Sequence, residues 1–127
     1  AHPWDQAGGQ QDVDAVSGAF MLIKKRVFDN IGYLDENFFM YLEDIDLCIR
    51  AKQAGYKVLF CPNSSIFHEG GASSKNRDKI NYDAWSNSRK YYFKKHFSGI
   101  ANIILQPLFI IDDIFSSAWR NLRKVFL

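Results

Sequence analysis

Short apolar runs alternate with longer amphipathic stretches over the first half of the chain. Residues 13–23 and 57–61 are largely apolar and β-compatible, which predicts two buried strands, the first interrupted at Ser17-Gly18. Residues 65–68 predict a further short strand, and a loop of small residues follows at 69–74. Because helical segments separate these strands, the pattern predicts an α/β fold with a few mixed strands packed on helices.

Three segments show the spacing of amphipathic helices: residues 25–31, 43–54 and 78–97. The segment 43–54 is the clearest, since its first turn is acidic and its later part basic, the order that the helix dipole favours. Gly55 stands where a C-terminal cap belongs. An aromatic loop, residues 33–41, leads into this helix.

The last 28 residues are different in character. Residues 100–111 are strongly apolar but interrupted at Gln106-Pro107 and ended by Asp112-Asp113. A helix that spans a bilayer takes about 20 apolar residues, so we expect this segment to be too short. Residues 114–127 place apolar side chains on one stripe and Arg and Lys largely off it, which favours an amphipathic helix in the plane of a membrane. Packing of the same helix onto the rest of the protein is the alternative.

Composition narrows the function classes. Of the 127 residues 47% are apolar and 24% charged, as in a globular protein, and the net charge of +2 argues against a nucleic-acid partner. Cys48 and Cys61 form no CxxC pair, so we expect both to be reduced and the protein to be cytoplasmic. The chain shows no secretory signal and begins without Met, and we expect a fragment.

Carboxylates gather at the start of the helix 43–54, directly after the aromatic loop. A sugar-transferring enzyme needs a general base within hydrogen-bond reach of the acceptor hydroxyl, and Asp44 is our candidate. Glu43 and Asp46 are candidates either to cap the helix or to bind acceptor hydroxyls. Acidic residues also gather at helix N-termini for purely structural reasons, and this segment alone does not decide between the two explanations.

Two weaker signals flank this helix in the sequence. His68 ends a predicted strand before a Gly-Gly loop, a position suited to a metal ligand near a phosphate, although a lone histidine is more often structural. Ser17, Gly18 and Ala19 are small enough to shape an acceptor pocket or merely to allow tight packing.

Five motifs taken together point to one family. In order they are Ser17-Gly-Ala-Phe20, Gly32-Tyr-Leu-Asp-Glu36 with Phe38-Phe39, Glu43-Asp-Ile-Asp-Leu47, Ala54-Gly-Tyr56 and His68-Glu-Gly-Gly71. Their order and spacing closely resemble the C-terminal half of family-2 glycosyltransferases, especially the bacterial rhamnosyltransferase-like members. The resemblance covers about residues 13–97.

The resemblance implies the C-terminal portion of a GT-A (nucleotide-diphospho-sugar transferase) fold, here with a helical C-terminal extension. It implies inverting transfer of a sugar, hexosyl or rhamnosyl, from a nucleotide-sugar donor to a saccharide or lipid-linked acceptor, in bacterial surface polysaccharide synthesis. By position, Asp44 matches the catalytic base and His68 a ligand of the divalent metal, Mn²⁺ or Mg²⁺. Ser17, Gly18 and Ala19 match the loop beside the acceptor, and Glu43 and Asp46 are assigned to acceptor binding.

The departure from the family concerns the nucleotide-binding half and its Asp-x-Asp motif, which should precede residue 13. Asp12-Val-Asp14 lies outside the family's expected position, and Asp44 and Asp46 do not face each other on a helix, so neither pair replaces it. We therefore expect a flexible lead-in at 1–12, an acceptor-side half at 13–97 and a helical tail at 98–127, inactive alone.

Three functions stay open at this point: the transferase, a non-catalytic acceptor-binding or membrane-docking module of the same fold, and, less in keeping with the resemblance, a metal-dependent phosphoesterase. Peripheral contact with the inner face of the membrane is a further hypothesis. So is a homo-oligomer, because the sheet edge left by a missing half invites association.

Overall fold

The computed structural model describes residues 9–69, 78–97 and 99–126, without the side chains of 78, 79 and 120–126. Most of the predicted lead-in (residues 1–8), the small-residue loop from residue 70 onward and the basic side chains of the tail lie outside this description. The described elements are β1 (Gln11–Asp12), α1 (Lys25–Ile31), α2 (Glu43–Gln53), β2 (Leu59–Phe60), α3 (Asp78–His96) and α4 (Ile100–Phe126).

The predicted helices are confirmed. α1 has the expected bounds, α2 and α3 end within one residue of them, and Gly55 follows α2 with a φ of 83°, the left-handed conformation that glycine adopts without a Cβ clash. The Gly55 N–H donates to the Lys52 carbonyl and so satisfies one of the last carbonyls of the helix.

The strand predictions are largely wrong. β1 and β2 form one antiparallel pair of two residues each, in which Gln11 lies opposite Phe60 and Asp12 opposite Leu59, extended by a bond of 2.9 Å from Val13 N–H to the Val58 carbonyl. Residues 14–23 and 65–68 are not strands. A strand needs a neighbour for its backbone groups, and the described residues offer only this short pairing. The described residues are therefore mostly helical, with less sheet than the expected α/β fold.

The core is small and lies where α1, β2, α3 and the aromatic loop meet α2. Phe38 from the loop packs edge-on against Tyr91 of α3, with ring centroids 4.9 Å apart. The buried apolar side chains are Val27, Phe38, Leu47, Cys48, Ala51, Val58 and Ala84. Burial in this core raises the pKa of the Cys48 thiol and keeps it protonated.

The predicted break in the tail is wrong, because α4 continues through Pro107 for 27 residues. Gln106 donates to the Lys90 carbonyl at 3.0 Å, and Phe109 packs on Phe93 with centroids 5.1 Å apart, so contacts to α3 hold the helix on both sides of the proline. The expectation that the apolar segment is too short for a bilayer is also wrong. By length and composition alone, Ile100–Trp119 is able to cross a membrane.

Candidate active site

The start of α2 is set by two residues in an unusual backbone conformation. Tyr41 and Leu42 have φ values of 70° and 68°, a left-handed region that costs non-glycine residues about 1–2 kcal/mol each. Contacts from α3 support this turn: the buried Ser88 hydroxyl donates to the Met40 carbonyl at 2.7 Å, and Trp85 packs edge-on against Tyr41. The turn aims the first residues of α2 at the loop 17–19.

Asp44 is the carboxylate that meets this loop. Its Oδ2 accepts a hydrogen bond of 2.7 Å from Gly18 N–H, and its Oδ1 accepts one of 2.8 Å from the N–H of Ile45. The side chain is half-buried, while Ser17, Gly18 and Ala19 are exposed. A carboxylate accepts about four hydrogen bonds, so lone pairs remain free to receive a proton from a bound hydroxyl.

The loop is ordered by its own side chain and fits closely around Asp44. The Ser17 hydroxyl oxygen accepts a bond of 3.3 Å from Ala19 N–H, a local turn that presents the Gly18 amide. A Cβ on Gly18 would lie 3.4 Å from Cβ of Asp44 and 3.6 Å from its Oδ2. The absence of a side chain at position 18 is therefore what lets the loop approach the carboxylate so closely.

Glu43 precedes Asp44 and is half-buried. Within the described residues its Oε2 is buried without a hydrogen-bond partner. A buried carboxylate oxygen without a donor is costly, and a hydroxyl offered by a bound molecule would relieve that cost. Glu43 therefore retains the capacity to bind an acceptor hydroxyl.

Asp46 does not, and its assignment to the acceptor is a correction. Its side chain is 0% exposed and is enclosed by three cationic or polar groups: Nε of Arg50 at 2.8 Å, Nζ of Lys95 at 2.6 Å and Nε2 of His96 at 2.8 Å. Burial alone would raise the pKa of Asp46, but hydrogen bonds from Lys95, Arg50 and His96 outweigh it and hold that pKa below its usual range. Asp46 is ionised and ties α2 to α3.

A second carboxylate, Asp35, extends this network into the aromatic loop. It accepts hydrogen bonds from Lys95 at 2.7 Å and from the Tyr91 hydroxyl at 2.9 Å. Although burial opposes ionisation, the bonds from Lys95, Asn37 and Tyr91 hold the pKa of Asp35 far below its ordinary value. Lys95 thus bridges two anions, and burial, which lowers its pKa, is outweighed by Asp35 and Asp46, which raise it.

A shallow groove of about 340 Å³ opens beside the same loop. Its wall combines an exposed aromatic ring, two amides and a carboxylate, the groups with which proteins bind sugars by stacking and hydrogen bonding. The lining residues are Asn37, Phe39, Ile80, Asp83, Ala84, Asn87 and Ser88.

His68 is exposed, and the described residues do not assemble a metal site around it. Nowhere in residues 9–69, 78–97 and 99–119 do three His, Cys, Asp or Glu side chains converge as metal ligands. These residues therefore do not fit a complete metal centre, and His68 offers at most one ligand to it.

Sequence reasoning located Asp44 beside its loop but missed the residues that hold it in place. Arg50 donates to the carbonyls of Ile31 and Tyr33 at 2.7 and 2.8 Å, which joins α1 to α2. Lys95, His96 and Ser88 act from α3, about 50 residues further along the chain. Only the basic cluster 94–96 at the end of a helix was visible as a signal, and it reads equally well as a helix-dipole pairing.

Comparison with known proteins gives a consistent result. The model of the family described as "Glycosyltransferase like family 2" matches residues 4–88. The chain is 30% identical over 99 residues to the N-acetylglucosaminyl-diphospho-decaprenol L-rhamnosyltransferase of Mycobacterium tuberculosis, an alignment that covers 72% of this chain and 32% of that protein. No solved structure matches significantly.

Two further relatives extend the range of organisms. The low-salt glycan biosynthesis hexosyltransferase Agl10 of Haloferax volcanii is 29% identical over 114 residues, 90% of this chain and 36% of that protein. The rhamnosyltransferase WbbL of Escherichia coli is 39% identical over 56 residues, 44% of this chain and 21% of that protein. The chain thus spans about a third or less of the length of these curated relatives.

Proposed function

The chain belongs to glycosyltransferase family 2, and on that basis we propose that it forms the acceptor-side part of an inverting glycosyltransferase of GT-A fold, with Asp44 as general base. The observation that carries this proposal is the position of Asp44. Its carboxylate stands at the start of α2 against the exposed loop Ser17–Ala19, oriented by the Gly18 amide at 2.7 Å. A fixed carboxylate beside an open, small-residue surface is what deprotonation of a bound hydroxyl requires.

The proposed step is a single displacement. Asp44 takes the proton of an acceptor hydroxyl while that oxygen attacks the anomeric carbon of the donor sugar. The bond from this carbon to the nucleoside diphosphate breaks, and the leaving group keeps its electron pair. Attack from the face opposite the leaving group inverts the anomeric configuration. Orientation by the backbone amides of Gly18 and Ile45 is favourable, since misplacing a reacting group by about 1 Å costs roughly 100-fold in rate.

For the acceptor we propose a saccharide or a lipid-linked saccharide. The relative from Mycobacterium tuberculosis is named for a diphospho-decaprenol acceptor that carries N-acetylglucosamine. Glu43, Ser17, Gly18 and Ala19 line the immediate surroundings of Asp44, and the groove at Phe39, Asp83 and Asn87 supplies further sugar-binding chemistry. We place the reaction in the cytoplasm, as part of glycan synthesis.

The donor side receives no step here. His68 is our proposed contribution to a divalent metal site, and its partner ligands would lie outside the described residues. Calorimetric titration with Mn²⁺ and a panel of nucleoside diphosphates tests this assignment. Metal-dependent binding that is lost in His68→Ala supports it, and binding that is unchanged in His68→Ala contradicts it.

The experiment for the transfer reaction is product analysis. The protein that carries these residues is incubated with nucleotide sugars and a polyprenyl-diphosphate-linked N-acetylglucosamine, and the new linkage is examined by NMR. A product of inverted anomeric configuration is expected. A product that retains the configuration, or release of free sugar regardless of acceptor, would contradict the proposal.

A non-catalytic module of the same fold is the second candidate. It is favoured by one observation, the coverage of only about a third of the relative from Mycobacterium tuberculosis. Acceptor binding by this chain, together with no transfer under any donor condition, would support that candidate instead.

A further inference from the structure

Helix α4 has two sides that differ completely in chemistry. One side, the seam, is bonded to α3. Gln106 donates to the Lys90 carbonyl, Asn102 donates to the Phe97 carbonyl, and Asp113 accepts from the hydroxyls of Tyr82 and Ser86. Positions 102, 106, 109 and 113 recur at the spacing of one helix face, so the seam runs along a single line of α4.

Burial and charge strengthen this seam. Arg89 lies over the ring of Phe109 at 4.4 Å and pairs with Asp112 at 2.9 Å, and Lys90 pairs with Asp113. Burial alone would raise the pKa of Asp113, but Lys90, Ser86 and Tyr82 outweigh it and lower that pKa. Asp112 and Asp113 are the two charged residues in the segment from Ile100 to Trp119, and both are engaged by α3.

The opposite side, here called the outer face, is apolar and exposed. Its side chains lie about half a turn away from the seam, and each is between 48% and 73% exposed. They are Ile103, Ile104, Leu108, Ile111, Ile114 and Phe115, with Trp119 at the end. Twenty helical residues extend about 30 Å, so this is a long apolar strip rather than scattered side chains.

We propose that the outer face of α4 binds in the plane of an anionic lipid surface. Along the strip no charged side chain and no hydrogen-bonding side chain interrupts the apolar residues. Protein interfaces, in contrast, carry about one hydrogen bond per 100–200 Å² and are little more apolar than the rest of the surface. Lipid is the partner that matches a strip of this composition.

The sequence around the strip supplies the matching charge. Trp119 ends the strip, and tryptophan is enriched at the boundary between hydrocarbon and water. Arg120, Arg123 and Lys124 follow directly in the sequence. Basic residues next to an apolar helix contribute about 1 kcal/mol each at an anionic membrane surface.

A spanning orientation is incompatible with the seam. The bonds from Asn102 to Asp113 tie α3 to most of the apolar segment, so α3 would have to enter the bilayer with it. α3 exposes Asp83, Asn87 and Lys94 to solvent. Each charged side chain in the hydrocarbon costs about 2.5–3.5 kcal/mol or more. In the in-plane orientation α3 lies on the water side, and its polar residues stay hydrated.

Helix α3 then separates the lipid surface from the loop that leads to Asp44. Tyr82, Ser86 and Arg89 face α4, while Ser88 and Tyr91 on the other side of α3 bond the loop. Packed helices lie about 8–10 Å apart, so the loop stands one helix layer above the lipid. Lipid binding by α4 does not itself depend on the proposed glycosyl transfer.

Flotation of the 127-residue chain with vesicles tests the proposal. Phosphatidylcholine vesicles with 30% phosphatidylglycerol are expected to carry the protein, more strongly than pure phosphatidylcholine. Ile111→Glu with Phe115→Glu is expected to weaken binding at least about 100-fold, because two large apolar contacts are replaced by charges. The matched control is Leu22→Glu with Phe67→Glu, at positions 98% and 95% exposed outside α4. Circular dichroism checks that both variants keep the helix content.

Unchanged binding of the outer-face variant, equal loss in the control, or no binding of the wild type would each overturn the proposal. A wild-type dimer in solution that the outer-face substitutions dissolve, without vesicle binding, would assign the face to a second copy instead.

A second measurement separates lying in the plane from spanning. Spin labels are placed singly at Ile104→Cys, Ile111→Cys and Ala118→Cys in a Cys61→Ser background, where the remaining Cys48 is buried. Accessibility to oxygen against a nickel chelate then gives the depth of each label. A common shallow depth at all three positions is expected. A depth that rises and falls steeply along the helix would show a spanning orientation and overturn the proposal.

Discussion

The backbone amide of Gly18 donates a hydrogen bond of 2.7 Å to the carboxylate of Asp44, across 26 residues of sequence. This single contact joins the loop 17–19 to the first turn of α2, and it fixes the orientation of the carboxylate that we propose as general base. The contact depends on the missing side chain at Gly18 as much as on the acid at Asp44, so both residues are open to test.

Gly18→Val tests the close approach. Its Cβ would lie 3.4 Å from the Asp44 side chain and the added methyl groups closer still, so we expect the loop or the carboxylate to shift. Transfer activity should fall about 10–100-fold, while the melting temperature changes by only a few degrees. Gly9→Val is the matched control, since a Cβ there meets nothing within 4 Å. Equal activity of the two variants would contradict the role given to this contact.

Asp46→Asn tests the buried ion cluster. Removing one partner of a buried ion pair leaves uncompensated charge, and we expect a loss of about 3–5 kcal/mol in the free energy of unfolding, measured by denaturant titration. Asp29→Asn removes an exposed carboxylate that pairs with Lys25 on the surface and should cost no more than about 0.5 kcal/mol. Similar losses in the two variants would show that Asp46 is not a structural anchor.

Acid should destabilise the protein through the same carboxylates. The pKa values of Asp46, Asp35 and Asp113 are lower in the folded protein than in the unfolded chain, where Asp titrates near about 3.9. A depressed folded pKa stabilises the fold above the unfolded pKa, and this contribution is lost as pH falls through the folded value. We expect stability to be level between about pH 5 and 7 and to drop below about pH 4. Stability that rises on acidification would contradict the assignment.

Ser88→Ala tests the support of the strained turn before α2. The Ser88 hydroxyl is buried and donates to the Met40 carbonyl at 2.7 Å, one residue before Tyr41 and Leu42. Loss of this bond should cost about 1–3 kcal/mol and also lower transfer activity, because the turn positions Asp44. The exposed Ser65→Ala is the control. A variant that loses stability but keeps full kcat would limit Ser88 to a structural role.

The helices could be predicted from the sequence because their signals are local. In α2 the acidic first turn, the apolar stripe and Gly55 all agree, and α3 is similarly periodic. The strands could not be predicted, because residues 13–23 and 65–68 have strand composition but no strand partner among the described residues. Pro107 misled in the other direction, since contacts of Gln106 and Phe109 with α3 offset the local cost of a proline.

For the site, a local motif located Asp44 and its neighbours, but long-range contacts decided what each acid does. Glu43, Asp44 and Asp46 occupy one helical turn and look alike in sequence. Lys95 and His96, about 50 residues away, enclose Asp46, whereas Asp44 lies against Gly18. Helical periodicity does place Asp44 and Asp46 on different faces, yet it does not tell which face another helix covers.

The most direct test of the account is the rate of sugar transfer in Asp44→Asn compared with Asp29→Asn, both in the protein that carries these residues. The asparagine keeps the shape and the hydrogen bonds that the Asp44 carbonyl oxygen can accept, but it cannot take a proton. We predict that Asp44→Asn lowers kcat at least about 100-fold with an unchanged melting temperature, while Asp29→Asn transfers sugar at the wild-type rate. Transfer by Asp44→Asn within a few-fold of the wild type would contradict the assignment of Asp44 as the base.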